Sequence, residues 1–183
     1  MTAKLLVLAG PTAVGKGTVA RHIIENHPEI VLSVSATTRQ PRPGEIDGKS
    51  YFFLTDTEFD ELIQGGQMLE YAVVHGTHRY GTPRQPVESA LAEGHPVLLE
   101  IDIQGARQVK AAMPEAVTVF LAPPSWGELV ARLRGRGTET EEQMAIRLET
   151  ARVELAAQSE FDHVIVNDEV AKCAKAVVEL MKS

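Results

Sequence analysis

The sequence predicts an α/β fold: a five-stranded parallel sheet with flanking helices, interrupted by an inserted lobe of mixed α+β texture and by a helical lid. Three observations carry that prediction. Five short β-rich runs, Leu5 to Ala9, Val31 to Ser35, Val97 to Ile101, Val117 to Leu121 and Val164 to Val166, alternate with helical patterns, as strands buried on both faces by crossover helices do. A glycine-rich turn joins the first run to the first helical pattern. Two stretches, 35–82 and 126–158, break the alternation, so the core is expected at 1–34, 83–125 and 159–183 of one domain.

The first element, Leu5-Leu6-Val7-Leu8-Ala9, is apolar throughout, as a central strand must be. It runs into Gly10-Pro11-Thr12-Ala13-Val14-Gly15-Lys16-Gly17-Thr18 and then a helix-forming segment. Two glycines separated by four residues, then lysine, let successive backbone N–H groups curl around a phosphate at a helix N-terminus, while Lys16 reaches the outer phosphates as a point charge. This spacing makes the fold P-loop NTPase-like. An ordinary strand-to-helix turn with a surface lysine is the plain alternative for this segment alone. The Ser/Thr that usually follows the lysine and ligates magnesium is replaced by Gly17, with Thr18 one place further on. Mg2+ is therefore expected to be held mainly by water and phosphates, with Thr18 as a contact.

After the second strand, Ser33 to Glu45 places Arg39 and Arg42 three residues apart on a segment stiffened by Pro41 and Pro43. Guanidinium forks bind phosphate bidentately; a solvated basic loop is the competing reading of two arginines alone. The lobe continues with strand-like Tyr51 to Leu54, then a helix opened by Thr55 with Glu58 three residues on, a capping box, and closed by Gly65-Gly66. Met68 to His75 reads as a strand carrying Glu70, which by itself is an ordinary strand glutamate facing water. Arg79 reads as a surface hairpin residue.

The third strand delivers Glu100 and Asp102 to its carboxyl end, the edge where open α/β sheets bind ligands. Beyond Pro123-Pro124 lies a helix with Leu129 and Leu133 on one face, the turn Gly135-Arg136-Gly137, and a longer helix from about Thr140 with Met144, Leu148, Ala151 and Leu155. Arg132 and Arg136 flank that turn, and Arg147 lies on the following helix. Glu139, Glu141 and Glu142 favourably charge its N-terminus. Cys173, the only cysteine, fits the apolar face of the last helix and takes no catalytic role.

A formal net charge of −7 argues against a general nucleic-acid or membrane-surface binder and points to a small phosphorylated ligand held by a local basic cluster. No apolar run approaches bilayer length and Met1-Thr2-Ala3-Lys4 leads straight into the first strand, so a cytoplasmic protein is expected. His75 and His78 lack metal-ligand partners at useful spacing.

Taken together, Gly10 to Thr18, Ser33 to Gly48 followed by Tyr51, Glu70, Tyr80-Gly81-Thr82, Glu100 to Gly105, Ala122-Pro123-Pro124-Ser125, Gly135 to Glu139 and Val166-Asn167-Asp168 resemble the guanylate kinases over nearly the whole chain. The segment Gly76 to Gly81 departs from the family pattern by one extra residue. The resemblance implies transfer of a phosphoryl group from ATP to GMP with Mg2+. By it, Gly10, Pro11, Thr12, Ala13, Val14, Gly15, Lys16, Gly17 and Thr18 hold ATP, with Asn167 near the adenine. Arg39, Arg42, Tyr51 and Tyr80 hold the GMP phosphate, and Ser35, Glu70 and Thr82 read the guanine. Asp102 belongs to the GMP site or to the hydrated magnesium. Lys16, Arg132, Arg136 and Arg147 surround the migrating group.

The 35–82 insertion is then a GMP-binding lobe. Guanine offers N1–H and N2–H2 donors beside the O6 acceptor, and a site built to bond such groups rejects an analogue lacking them by roughly 10^4-fold. Two other readings share the fold: an inactive peptide-binding module, against which Lys16, Arg39, Arg42, Arg136 and Arg147 stand, and a kinase for another nucleoside monophosphate, against which Glu70, Ser35 and Thr82 stand. Monomer and homodimer are both expected possibilities.

Overall fold

The computed structural model describes residues 3–74, 78–135 and 140–183. Its core sheet has five parallel strands in the order β2-β7-β1-β8-β9: β1 (Leu5–Ala9), β2 (Val31–Leu32), β7 (Val97–Glu100), β8 (Val117–Ala122) and β9 (His163–Val166). β1 is central and wholly buried. Its side chains alternate between two cores because strand period is two. Leu6 and Leu8 join Val14, Val19, Ile23 and Val177, from the phosphate loop, α1 (Lys16–Asn26) and α7 (Val170–Lys182). Leu5, Val7 and Ala9 join Val87, Val109 and Phe120, from α3 (Arg84–Ala92), α4 (Ile103–Ala112) and β8.

The second strand is shorter than its apolar run suggests. Ser33 N–H makes the last bond to the core sheet, donating to the Leu98 carbonyl at 3.0 Å. The Ser35 carbonyl then accepts from Phe52 N–H at 2.9 Å, and β3 (Ala36–Thr37) has joined a different sheet. The switch from Val-Leu to Ser-Val-Ser gives up the two-sided apolar pattern that a core strand needs.

That second sheet is ordered β4-β3-β6-β5, with β4 (Phe52–Phe53), β5 (Met68–Val74) and β6 (His78–Pro83); β5 and β6 form an antiparallel hairpin, and β5 is an edge. Helix α2 (Asp56–Gln64) covers it through the fully buried Phe59. The capping box at its start is closed: Thr55 Oγ1 accepts from Glu58 N–H at 3.2 Å, and Glu58 Oε2 accepts from Thr55 N–H at 2.7 Å.

Helix α5 (Trp126–Arg134) is capped by Ser125 and buries Leu129 and Leu133 in the same core as Leu6. Helix α6 (Glu141–Ala156) starts at a second capping box, Thr140 with Gln143, and carries Glu141 and Glu142 in its first turn. Cys173 is buried on α7, and burial pushes its thiol up to about 11, so it stays protonated at neutral pH.

Candidate active site

The carboxyl end of the core sheet gathers three groups of side chains. The first surrounds the loop between β1 and α1. Gly15 holds a left-handed backbone, φ 101°, and a Cβ there would lie 2.7 Å from Asn167 Nδ2, so only glycine fits. Ala13 is also left-handed, φ 65°, a conformation costing a non-glycine residue about 1–2 kcal/mol.

The strained loop is gripped from both sides. The Val14 carbonyl accepts from Asn167 Nδ2 at 2.8 Å and from Arg132 Nη1 at 3.1 Å, while Thr12 N–H donates to Glu154 Oε2 at 3.2 Å. Lys16 Nζ folds over the loop to the Gly10 carbonyl at 2.6 Å and the Pro11 carbonyl at 3.2 Å. Arg132 also reaches the Asn167 carbonyl and Glu128. Ala13, Gly15, Thr18, Arg132, Asn167 and Val170 line a recess of about 320 Å³ beside this loop.

Two carboxylates face the same loop. Burial raises the pKa of Glu154, opposed by the Thr12 N–H and the Lys16 charge. Glu100 stands at the mouth of the cleft, where its surface is accessible but protein walls displace enough water to raise its pKa against Lys16 and Arg21. A Cβ on Gly17 would sit 3.4 Å from Glu100 Oε1, so this carboxylate lies beside the place where the missing hydroxyl would project.

The second group lies at the lobe. Arg39 donates through Nε to the Tyr80 hydroxyl at 3.1 Å and through Nη1 and Nη2 to Glu45 at 3.0 and 2.9 Å. Its guanidinium stacks over the Tyr51 ring at 5.4 Å, and the Tyr51 and Tyr80 rings meet edge to face at 5.8 Å. Arg39 is thereby locked in one orientation, and the Glu45 carboxyl, bonded to it and to the Arg42 N–H, is held below the usual carboxylate range. Ser35, Tyr51, Lys49 and Glu100 line a neighbouring cavity of about 330 Å³.

The third group is Glu70, Thr82, Gly105 and Asp102. Glu70 is 6% exposed and accepts from the Thr82 hydroxyl at 2.7 Å. Burial pushes its pKa up to about 7: desolvation outweighs the Thr82 bond, and the Asp102 charge adds to the rise. A Cβ on Gly105 would come 2.7 Å from Glu70 Oε2, so glycine is what lets the carboxylate lie on α4. Asp102 caps α4, accepting from Gly105 N–H at 2.7 Å.

Of the residues singled out in the sequence, the fold thus groups Lys16, Thr18, Arg132 and Asn167 around the loop, Arg39, Tyr51 and Tyr80 at the lobe, and Glu70 with Thr82 against Asp102. Tyr80 pairs with Ala72 and Thr37 across the lobe sheet. Arg42 is exposed and Arg147 half-buried on α6. Arg136 lies outside the described residues, as do Glu139 and the Gly76-Thr77 part of the extra-residue segment. Arg79 straps the hairpin to α2, bonding Asp56 and Asp60 and lying over the Phe59 ring.

Glu154 escapes sequence reading, while Glu45 and Gly105 stand within the segments singled out above without a role of their own. A six-residue spacing across a Pro-Gly turn could have paired Arg39 with Glu45. Nothing local joins Thr12 to Glu154, which are 142 residues apart.

The guanylate kinase family model matches residues 2–183. The chain is 64% identical over 177 residues to a guanylate kinase of Leifsonia xyli subsp. xyli, covering 97% of this chain and 70% of that protein. It is 61% identical over 181 residues to one of Nocardia farcinica, covering 98% and 94%. Among solved structures, a guanylate kinase from Anaplasma phagocytophilum superposes with a TM-score of 0.77 at 34% identity, covering 100% of this chain and 86% of that one. A shikimate kinase from Bacteroides thetaiotaomicron, at 12% identity and TM-score 0.53 over 98% of this chain and 99% of that one, shares the fold alone.

Proposed function

The chain belongs to the guanylate kinase family and transfers the γ-phosphoryl group of ATP to GMP, giving ADP and GDP; from that premise we propose the part each cleft residue plays. The observation that carries the proposal is the buried Glu70 carboxylate paired with Thr82 and walled by Gly105. In its ionised form, held by the Thr82 hydroxyl, it faces N1–H and N2–H2 of guanine, while the Ser35 hydroxyl donates to the O6 acceptor. Adenine presents an acceptor at N1 and no amino group at C2, so the carboxylate keeps only Thr82 and has no partner on the base, which a buried site tolerates poorly.

Arg39, already oriented by Glu45, Tyr51 and Tyr80, receives the GMP phosphate together with Tyr51, Tyr80 and the exposed Arg42. ATP lies along residues 10–18 with its base toward the recess bounded by Asn167 and Arg132. Lys16 exchanges its loop carbonyls for the outer phosphates. Arg132, Arg136 and Arg147 add positive charge around the migrating group, because phosphoryl transfer needs alignment and charge stabilisation and no covalent intermediate on the protein. Asp102 keeps α4 capped next to Glu70 and completes the GMP site. The lobe at 35–82 and the lid at 126–158 close on the substrates and exclude water.

A nucleotide kinase generally requires Mg2+, and the donors here fit it. Among the described residues no group of three or more His, Cys, Asp or Glu is placed to cage a metal. Hard oxygen donors nevertheless stand by the loop: the Thr18 hydroxyl and the Glu100 carboxylate. That pattern suits a small ion that keeps its waters and is held chiefly by phosphates. Thr18 and Glu100 would hold that hydrated ion, which supplies neutralising charge across the phosphates. ATP and GMP are the proposed partners, with the chain acting in the cytoplasm as monomer or homodimer.

The test is a single-turnover transfer from γ-labelled ATP with GMP, AMP, UMP or CMP as acceptor. Label appearing in GDP alone is expected; equal labelling of another diphosphate would contradict the guanine-reading assignment.

A further inference from the structure

Glu70 sits on an unusual strand. β5 is the edge of the lobe sheet, and its pairing with β6 shifts register between Met68 and Glu70, the mark of a bulge that re-aims neighbouring side chains. An edge strand with a bulge has little of its own to fix its course, because every second residue turns its N–H and C=O away from the sheet. At Tyr71, next to Glu70, those outward groups are both taken by one side chain. Tyr71 N–H donates to Gln108 Oε1 at 3.1 Å, and Gln108 Nε2 donates to the Tyr71 carbonyl at 3.0 Å. The amide of Gln108 therefore pairs with β5 as the backbone of a further strand would.

Gln108 lies on α4 one turn beyond Gly105, which lies one turn beyond Asp102. All three meet β5: the Asp102 charge acts on Glu70, Gly105 lets the Glu70 carboxylate rest on the helix, and Gln108 holds the backbone of the next residue. We infer that Gln108 is a positioning residue for guanine selection, its side-chain amide fixing the bulged edge strand that aims Glu70. The inference rests on the reading of Glu70 as the guanine-binding carboxylate. Both bonds are at an exposed edge, so water replaces them when Gln108 is removed. What is lost is the fixed aim of Glu70, with little change in stability.

Gln108→Leu and Gln108→Glu test this beside Glu70→Gln, with GMP and inosine monophosphate as acceptors. Inosine monophosphate keeps O6 and N1–H but lacks the 2-amino group. Leucine cannot pair with Tyr71; glutamate accepts from its N–H but sets a carboxylate against its carbonyl. We expect both Gln108 variants to narrow the kcat/KM ratio of GMP over inosine monophosphate by about tenfold, as a small misplacement of a positioned group does, with KM for ATP and Tm nearly unchanged. If Glu70→Gln collapses that ratio while both Gln108 variants keep it, the positioning role is overturned. It is equally overturned if the variants weaken both acceptors and ATP alike, or lower Tm, because Gln108 then only supports the lobe. A ratio unchanged in Glu70→Gln overturns the guanine reading of Glu70 and this inference with it.

Discussion

Lys16 and Glu70, the residues proposed to set the two ends of the reaction, differ in how their surroundings prepare them. Lys16 rests on carbonyls of its own loop, so its charge is held over the cradle before any phosphate arrives. Lys16→Ala should lower turnover by about 10^2-fold or more while GMP binding, measured by calorimetry, changes by less than about two-fold. Unchanged turnover would contradict the cradle assignment. Glu70 is prepared by desolvation, which raises its pKa from the ordinary 4.5 to about 7. Between those values the folded chain binds more protons at this site than the unfolded chain, so its contribution to stability declines as pH rises through that window and is level above it. Denaturant titrations of the wild type against Glu70→Gln, from below pH 4.5 to above pH 7, should show the wild type losing stability relative to the variant as pH rises. A difference that does not vary with pH would contradict the burial argument. Lys16 was legible in the sequence from the loop spacing, whereas Glu70 by itself reads as a strand glutamate facing water and is marked only by the resemblance to the guanylate kinases. The burial of Glu70 was not legible, since it depends on Thr82 and on a glycine of a distant helix.

Helices were legible wherever their signals are local. Thr55 with Glu58 and Thr140 ahead of the Met144, Leu148, Ala151 periodicity mark two helix starts that the structure reproduces, because caps and apolar stripes lie within a few residues of the backbone they stabilise. Strand partners were less legible. β3, with two residues, leaves no periodic trace, and the lobe sheet depends on pairing Ala36 with Gly81, 45 positions away in sequence. The same non-locality governs the packing of α4 on β5. Gly105→Ala would drive a Cβ to 2.7 Å from the Glu70 carboxylate. We expect this overpacking to cost about 1–3 kcal/mol by denaturant titration. KM for GMP should rise about tenfold, with KM for ATP unchanged, as Glu70 is displaced. An alanine variant with wild-type GMP kinetics would contradict the contact.

At the scale of the whole molecule, one sheet edge brings the three groups of side chains together. The strand order β2-β7-β1-β8-β9 places the phosphate loop after the central strand, with β7 delivering Glu100 and Asp102 on one side and β9 delivering Asn167 two strands away on the other. The alternation of β-rich runs and helical patterns foretold the parallel sheet, while strand order and the grip of Glu154 on the loop emerge only in three dimensions. On the proposed reading, a chain of net charge −7 binds two anionic nucleotides through cations placed locally around this edge: Lys16 and Arg132 at the loop, Arg39 at the lobe. The central claim is that a buried carboxylate in this cleft chooses the base. Its most direct test is the ratio of kcat/KM for GMP over AMP in the wild type and in Glu70→Gln, measured by coupled ADP release. A fall in that ratio of roughly 10^2-fold or more with KM for ATP unchanged is predicted; a ratio kept in the variant would contradict the claim.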